Sequence, residues 1–424
     1  MHHHDETDVL IVGAGPVGLL SALLLSKHGI RVKIIDKQER TTTHSYACAL
    51  HPRSLEILHG AGLLDQVREL GQRVDTLVFY EGAQRCGEIR LSQLPVEFPF
   101  GLVLPQSSLE AVLERALADS GRVRVNWNQR LSRLQLEPNA TVAAIEELEQ
   151  TSKGYAVPTW EWAVKRTVDT RAAFVVGADG RDSQVRRLLG IERVYAGEPE
   201  LFAVYEFKSE GKFDDDACIV FDQSTINIFW PLGDGRGRWS FQAVGNWLSD
   251  DESPAKERSV FRIIQPAVDR ATQQDLHQLI DKLAPWFKRE ISEVYWSAEV
   301  EFQPFLVKQF GQGRCWLAGD AAHQTGPAAA QSMNLGLAEA SELAQTMAGI
   351  LRDNSSLHLL ESYDKKCRAE WDHLLVTKQP PTLSDQANPW VRRRASEILR
   401  CIPASGEALS FLLAQLGLSL QPAN

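Results

Sequence analysis

DVLIVGAGPVGLLSALLLSKHGIRVKIIDK, Asp8 to Lys37, decides the fold. Val9, Ile11 and Val12 make the short apolar run of a buried parallel strand, and Val32, Ile34 and Ile35 begin a second. Between them Leu19 to Leu25 carry a broad helical face, and Gly29 ends that helix. The unit reads strand, tight turn, helix, strand. Gly13, Gly15 and Gly18 stand in the turn at G-x-G-x-x-G spacing. The first glycine permits the turn, the second admits a pyrophosphate to the backbone, and the third lets helix and strand pack closely. The helix N-terminus offers unpaired N–H groups and a dipole that favour an anion. Asp36 ends the second strand, where its carboxylate can accept from an adenosine ribose. Pro16, Val17 and Lys37 complete the expected contacts of this element. The pattern points to dinucleotide binding and does not separate NAD from FAD; glycines that serve only strand–helix packing are the alternative.

The 424 residues exceed the size at which a single core keeps growing, so two lobes are expected. Hydrophobic residues at 44% and charged residues at 24% suit an ordinary soluble globular protein. A net charge of −10 argues against a nucleic-acid partner, which would need clustered Lys and Arg. Cys48, Cys86, Cys218, Cys315, Cys367 and Cys401 form no CxxC pair, and no His cluster has metal spacing. Six thiols, no metal site and a cytoplasmic location are therefore expected. MHHH at the start reads as a tag remnant, and no signal peptide is expected. The longest apolar run, Val17 to Leu25, is too short to span a membrane.

Two later stretches extend the first. In AAFVVGADGRDSQVRRLLGI a strand, Phe174 to Val176, runs into Gly177-Ala178-Asp179-Gly180, and a helix with Ser183 near its start follows. Asp179 as a simple helix cap is the alternative here. In GRCWLAGDAAHQTGPAAAQSMNLGLAEASELA, Cys315 to Ala318 is a strand that Gly319-Asp320 ends, and a helix starts near Ala329. Asp320 can accept from sugar hydroxyls.

GAGPVG, GADGRDSQVR and AGDAAH…P…QSMNLGL resemble, in order and spacing, the three fingerprints of the FAD-dependent aromatic hydroxylases of p-hydroxybenzoate hydroxylase type, over residues 8 to 375. The resemblance implies an α/β fold: a Rossmann-like FAD-binding domain with a parallel sheet, an inserted mixed β-sheet substrate domain, and C-terminal helices. It implies residues 5–75, 101–190 and 305–378 for the first, 76–100 and 191–304 for the second, and 379–424 for the last. By position it places Gly13, Gly15, Gly18 and Asp36 on the ADP half of a tightly bound, non-covalent FAD. Asp179 matches the element that contacts FAD and helps receive NAD(P)H, and Gln106 matches an Arg or Gln that touches FAD. Gly319 and Asp320 match the turn that holds the ribityl chain, and Pro327 with Ala330, Gln331, Ser332, Met333 and Asn334 the loop and helix start beside the ring. The activity implied is NAD(P)H- and dioxygen-consuming hydroxylation of an aromatic or polycyclic small molecule through a flavin hydroperoxide, by a monomer or homodimer.

The sequence departs from the pattern at Tyr46, where many members carry an Arg on the flavin; His44 or Arg53 are substitutes, and Arg53 also reads as solvating the helix Ser54 to Leu58. Ala329 and Ser332 stand where relatives use glycine. Trp160-Glu161-Trp162 is similar to a halogenase signature, yet Ala163-Val164 follows, and Thr159 to Val164 reads as an alternating strand. Between the second and third fingerprints, LFAVYEF, ACIVFD, INIFWPL and RWSFQAVG alternate as sheet strands, the last two joined as a hairpin at Gly233 to Gly237. Tyr205, Asn227, Phe229, Trp230, Gln242 and Pro327 are the candidate substrate contacts; which face of the Thr225 to Leu232 strand lines the pocket stays open. His323 reads as structural support rather than a base, and no catalytic side chain is assigned, since the chemistry belongs to the cofactor. The segment after Lys378 reads as two or three covering helices, with Arg392 to Arg394 on a solvated face. A flavin dehydrogenase acting without oxygen insertion and a flavin-binding scaffold without turnover are the rival readings.

Overall fold

The computed structural model describes residues 5–41, 48–153, 159–243, 261–263, 270–375, 381–384 and 387–420. Its first sheet is built on the unit that opens the sequence. The strand Asp5–Val12 pairs in parallel with Val32–Ile35 on one side and with the end of the long strand Thr159–Gly177 on the other. Cys315–Leu317 and Val125–Asn126 extend the parallel array outward. Every crossover leaves strand ends on one edge, so the turns after Val12, Ile35, Gly177 and Leu317 lie together. The helices Pro16–Lys27 and Gln331–Asp353 pack on each other over this sheet. Thr141–Lys153 folds back antiparallel on Thr159–Gly177, and Gln129–Leu136 completes that flap. Trp162 belongs to this strand as expected, with about half of its surface in solvent.

The second sheet runs Phe261–Ile263, Ile291–Phe302, Glu200–Ser209, Arg236–Ala243, Thr225–Gly233, Asp216–Asp222, Thr76–Glu81 and Gln84–Arg90. Residues 76–90 join it through a parallel pairing of Thr76–Glu81 with Asp216–Asp222. The expected hairpin turns at Asp234 and Gly235, both at positive φ (53° and 73°), the conformation a two-residue turn between twisted strands requires. Both faces of this sheet are covered. Phe202, Ile226, Ile228 and Trp230 join the large core shared with the first sheet. Tyr205, Phe207, Phe229, Trp239 and Phe241 form a second, aromatic core beneath the helix Arg270–Leu283.

The C-terminal segment contributes two described helices, Pro389–Leu399 and Gly406–Ala414. Trp390 of the first packs on Phe79 and Phe221 of the second sheet. Among the described residues no helix is long and apolar enough to cross a membrane, and no cluster of side chains suits a metal ion.

All six cysteines are unpaired, and Cys86 alone is not buried. Burial pushes the Cys48 and Cys315 thiols up to about 11 and Cys218 to about 12. At pH 8 an aromatic disulfide reagent should therefore label one thiol of the native protein and six after denaturation; more than one fast-reacting thiol would contradict the packing described.

A cleft where three turns meet

The first turn is shaped by close approach. Gly13 has φ +106°, and a Cβ on it would lie 2.2 Å from the Ala178 carbonyl oxygen of the second turn. A Cβ on Gly18 would lie 2.0 Å from the Gly13 oxygen. Packing alone thus demands these two glycines. Gly15 differs, because a Cβ there would meet nothing within 4 Å. It caps the helix Pro16–Lys27 without a side-chain bond, leaving the first-turn N–H groups open to an anion. Asp36 receives the Ala14 N–H at 2.7 Å and the Gln38 N–H at 2.8 Å. Gly13, Gly15, Asp36, Lys37, Gln106 and Asp179 line one cleft of about 650 Å³. Val17 lies elsewhere: its side chain fills the seam between the first and third turns, at 2.9 and 2.7 Å from where Cβ atoms on Gly319 and Gly336 would stand.

In the second turn Asp179 caps the short helix Gln184–Leu188, its Oδ2 accepting from Gln184 and Val185 N–H groups at 2.6 and 3.1 Å. The capping alternative therefore describes one of its oxygens. The other, Oδ1, is buried with no partner, and burial pushes the carboxyl above its ordinary range. Gln106 Nε2 donates to Glu110 Oε1 at 2.7 Å along the same cleft wall.

The third turn is held by a carboxylate that the sequence reading missed. Glu339, 5% exposed, accepts from the Gly319 N–H at 2.8 Å, from His323 Nε2 at 2.8 Å and from Trp371 Nε1 at 3.1 Å. His323 stacks on Trp371 with ring centroids 3.9 Å apart, which places it in the support of the turn. Asp320, next in the chain, makes no hydrogen bond to the described residues. Burial pushes its carboxyl up, nearby His323 pulls it down and Glu339 opposes that.

The helix Gln331–Asp353 starts two residues later than expected, and its cap is strained. Ala330 sits at φ 51°, ψ 34° with no side-chain cap bond. The positive φ falls on neither Ala329 nor Ser332. Ser332 Oγ instead accepts the Thr325 N–H at 3.0 Å, closing the loop on itself. Asn334, expected at a ligand, has its side chain occupied by protein: Oδ1 accepts from the His51 N–H and Ser54 Oγ, and Nδ2 donates to Ala49 and Ala330 carbonyls. His51, also missed in the sequence, donates Nε2–H to the Ala329 carbonyl at 2.7 Å. Gln331 Nε2 donates to Ile402 and Ala404 carbonyls of the C-terminal segment at 2.7 and 2.9 Å. Met333 is buried and Pro327 half-buried. Arg53 pairs with Glu370 at 3.0 Å and is not among the residues lining the cleft. Tyr46 and His44 lie outside the described residues.

The second sheet settles which strand face looks inward. Asn227 donates to Val220 O and Thr225 Oγ1 and accepts from the Gln242 N–H, so it is a fastening within the sheet. Tyr205 and Phe229 belong to the far aromatic core. These three leave the set of candidate contacts, because their face is sealed by a helix. Trp230 faces inward, in register with Arg238, which is 2% exposed and ion-paired to Glu206. Gln242 lines a separate cavity of about 420 Å³ between this sheet, the Thr325–Ala328 loop and the C-terminal helices.

The model of the FAD binding domain family matches residues 6–376, and the chain belongs to that family. It is 30% identical over 364 residues to a 6-methylpretetramide 4-monooxygenase of Streptomyces rimosus, covering 85% of this chain and 58% of that protein. To pentachlorophenol 4-monooxygenase of Sphingobium chlorophenolicum it is 26% identical, over 84% of this chain and 61% of the relative. The chain thus spans about three fifths of the length of these curated relatives. Among solved structures, p-nitrophenol 4-monooxygenase from Pseudomonas putida superposes with a TM-score of 0.70 at 20% identity, over 97% of this chain and 98% of that one. A complex of aklavinone-11 hydroxylase with FAD and aklavinone superposes at 0.65 with 21% identity, over 87% and 67% of the two chains. These likenesses show the fold. The cleft fits the family's cofactor on its own terms, through the open cradle at Gly15 and the unpartnered Oδ1 of Asp179.

Ala330→Gly removes a left-handed alanine that costs on the order of 1 kcal/mol, so urea unfolding should show a gain of about that size; a loss would mean the φ is unstrained. His51 is held neutral: burial lowers it to about 4, with the Ala329 hydrogen bond opposing. Between that value and the unfolded pKa near 6.5 only the unfolded chain takes the proton. Stability should rise with pH across this window by up to about 1.4 kcal/mol per unit, and His51→Gln should flatten that part of a stability–pH curve.

Proposed function

We propose that the chain is an FAD-dependent, NAD(P)H-consuming monooxygenase that hydroxylates an aromatic or polycyclic small molecule. The observation that carries this reading is the Asp320 carboxylate, which follows the strand Cys315–Leu317 and makes no hydrogen bond among the described residues. The activities of the relatives support it. FAD, when bound, accepts a hydride from NAD(P)H and passes one atom of dioxygen to an aromatic carbon, the other leaving as water.

The chain's own residues bind, orient and enclose. The turn Gly13–Gly15 and the helix start at Pro16 hold the pyrophosphate through backbone N–H groups, and Asp36, with Lys37 beside it, receives the adenosine ribose. Asp179 offers its free oxygen to the same cofactor, and Gln106 joins it from the cleft wall. Asp320 accepts from the ribityl hydroxyls, with Gly319 setting its angle. The loop from Pro327 through Ala330 to Met333 presents backbone to the ring; His51 and Asn334 fix that loop rather than touching the ring. The inward sheet face around Trp230, with Gln242 and Pro327, excludes water and positions the substrate. A cytoplasmic monomer or homodimer accords with the charge and the free thiols.

Turnover with an aromatic substrate under labelled dioxygen should place one label in the product; unlabelled product formed with NAD(P)H oxidation would make it a dehydrogenase. Asp320→Ala should purify largely colourless while keeping a native circular dichroism spectrum, and full flavin retention would remove Asp320 from its role.

A further inference from the structure

Three neighbouring strands of the first sheet end on one line. Val12 of the strand Asp5–Val12 pairs with Ile35 of Val32–Ile35, and Ile35 pairs with Asn126 of Val125–Asn126, all in parallel. The residues that follow are Gly13, Asp36 and Trp127, and all three line the same cleft. Adjacent strands stand about 4.8 Å apart, so Trp127 lies one strand beyond Asp36 and two beyond the turn at Gly13. The backbone on both sides of Trp127 is tied to the neighbouring strand end. Asp36 N–H donates to Asn126 O at 3.0 Å, Gln129 N–H to Asp36 O at 2.8 Å and Asn128 N–H to Gln38 O at 2.9 Å. Asn128 turns the chain at φ 57°, a conformation that asparagine tolerates. Trp127 itself is half-buried: it packs against the main core and also faces the cleft. Among the described residues no aromatic ring stacks on its indole.

We infer that Trp127 binds the cofactor by stacking its ring on the adenine. The order of the strand ends is the order of an adenosine diphosphate: phosphate at the turn Gly13–Gly15, ribose at Asp36, base at the next strand. A base is held here through its π face, because stacking asks for no fixed donor or acceptor. The adenosine halves of FAD and NAD(P)H share this chemistry. FAD is the occupant, since one cleft carries the phosphate cradle, the ribose acid and the tryptophan together with Gln106 and Asp179. The inference rests on the reading above only in taking FAD as the resident cofactor.

Equilibrium dialysis of the full-length protein against FAD, with Trp127→Phe, Trp127→Leu and Trp127→Ala compared, reads the contact. Phenylalanine keeps a π face and should stay within about 3-fold of the parent, whereas Leu and Ala should weaken FAD about 10- to 100-fold, the range of base-on-aromatic stacking. Leucine also keeps apolar cover over the core, so weakened FAD with a native circular dichroism spectrum separates stacking from folding. FMN, which lacks the adenosine, should bind the parent and Trp127→Leu alike. In FAD-saturated protein the NAD(P)H concentration that half-saturates anaerobic flavin bleaching should not move in Trp127→Leu. Unchanged FAD affinity in Trp127→Ala, equal affinities of the Phe and Leu variants, weakened FMN, or a shift in NAD(P)H half-saturation with FAD unmoved would each overturn the inference. Labelled oxygen in the product of a protein whose FAD affinity ignores Trp127 removes this inference alone. The stated order of FAD affinities without oxygen incorporation leaves Trp127 in place and removes the monooxygenase reading alone.

Discussion

The first two backbone turns approach so closely that no Cβ fits between them, and the third turn meets the helix Gln331–Asp353 as closely. Gly13 lies against Ala178, and Gly336 lies 2.9 Å, as measured from a Cβ position, from the Cα of Gly319. Everything that gives the cleft its shape follows from this contact. An added methyl group would push two strands of one sheet apart at Gly13, and the helix Gln331–Asp353 off the third turn at Gly336, because interiors are packed too densely to absorb it. The small residues that crowd the third turn are thus explained first by protein against protein. Gly15 is the exception, with open space where its side chain would be.

The second constraint is electrostatic. Glu339 is a buried carboxylate, a group that is expensive to desolvate unless donors surround it. A backbone N–H, an imidazole and an indole do so, from three different elements. Each donor also depends on Glu339, since removing the carboxylate would strand all of them away from water. Asp320 sits one residue from this knot and makes no hydrogen bond among the described residues. One carboxylate is thus satisfied by the protein, while its neighbour takes no donor from the described residues.

Much of this architecture is visible in the sequence where the signal is local. The glycine spacing in Asp8–Lys37, the order of the three turns and the hairpin at Asp234-Gly235 can all be read within a short window, because backbone geometry there demands particular residues. The clamp of His51 on Ala329 cannot, since its partners are 278 residues apart. Glu339 in AEASELA looks like any solvated helical glutamate until the fold surrounds it. The inward face of Thr225–Gly233 was equally hidden. Eight of its nine residues are buried, so alternation carries no inside–outside contrast. The positive φ lies at Ala330, between the two positions, Ala329 and Ser332, where relatives use glycine. The helix begins later than periodicity suggests, and the positive φ moved with it.

The bond from the His51 N–H to Asn334 spans 283 residues, and it fastens the strained cap to the first half of the chain. Contacts of such separation form late, because the intervening chain must be ordered before they reward closure. On a ribosome the first turn emerges with most of the protein still to be made, yet the third turn, at Gly319–Ala321, lies in the last quarter. A nascent chain therefore exposes a half-built nucleotide site for most of its synthesis. Cofactor loading becomes an event that follows translation.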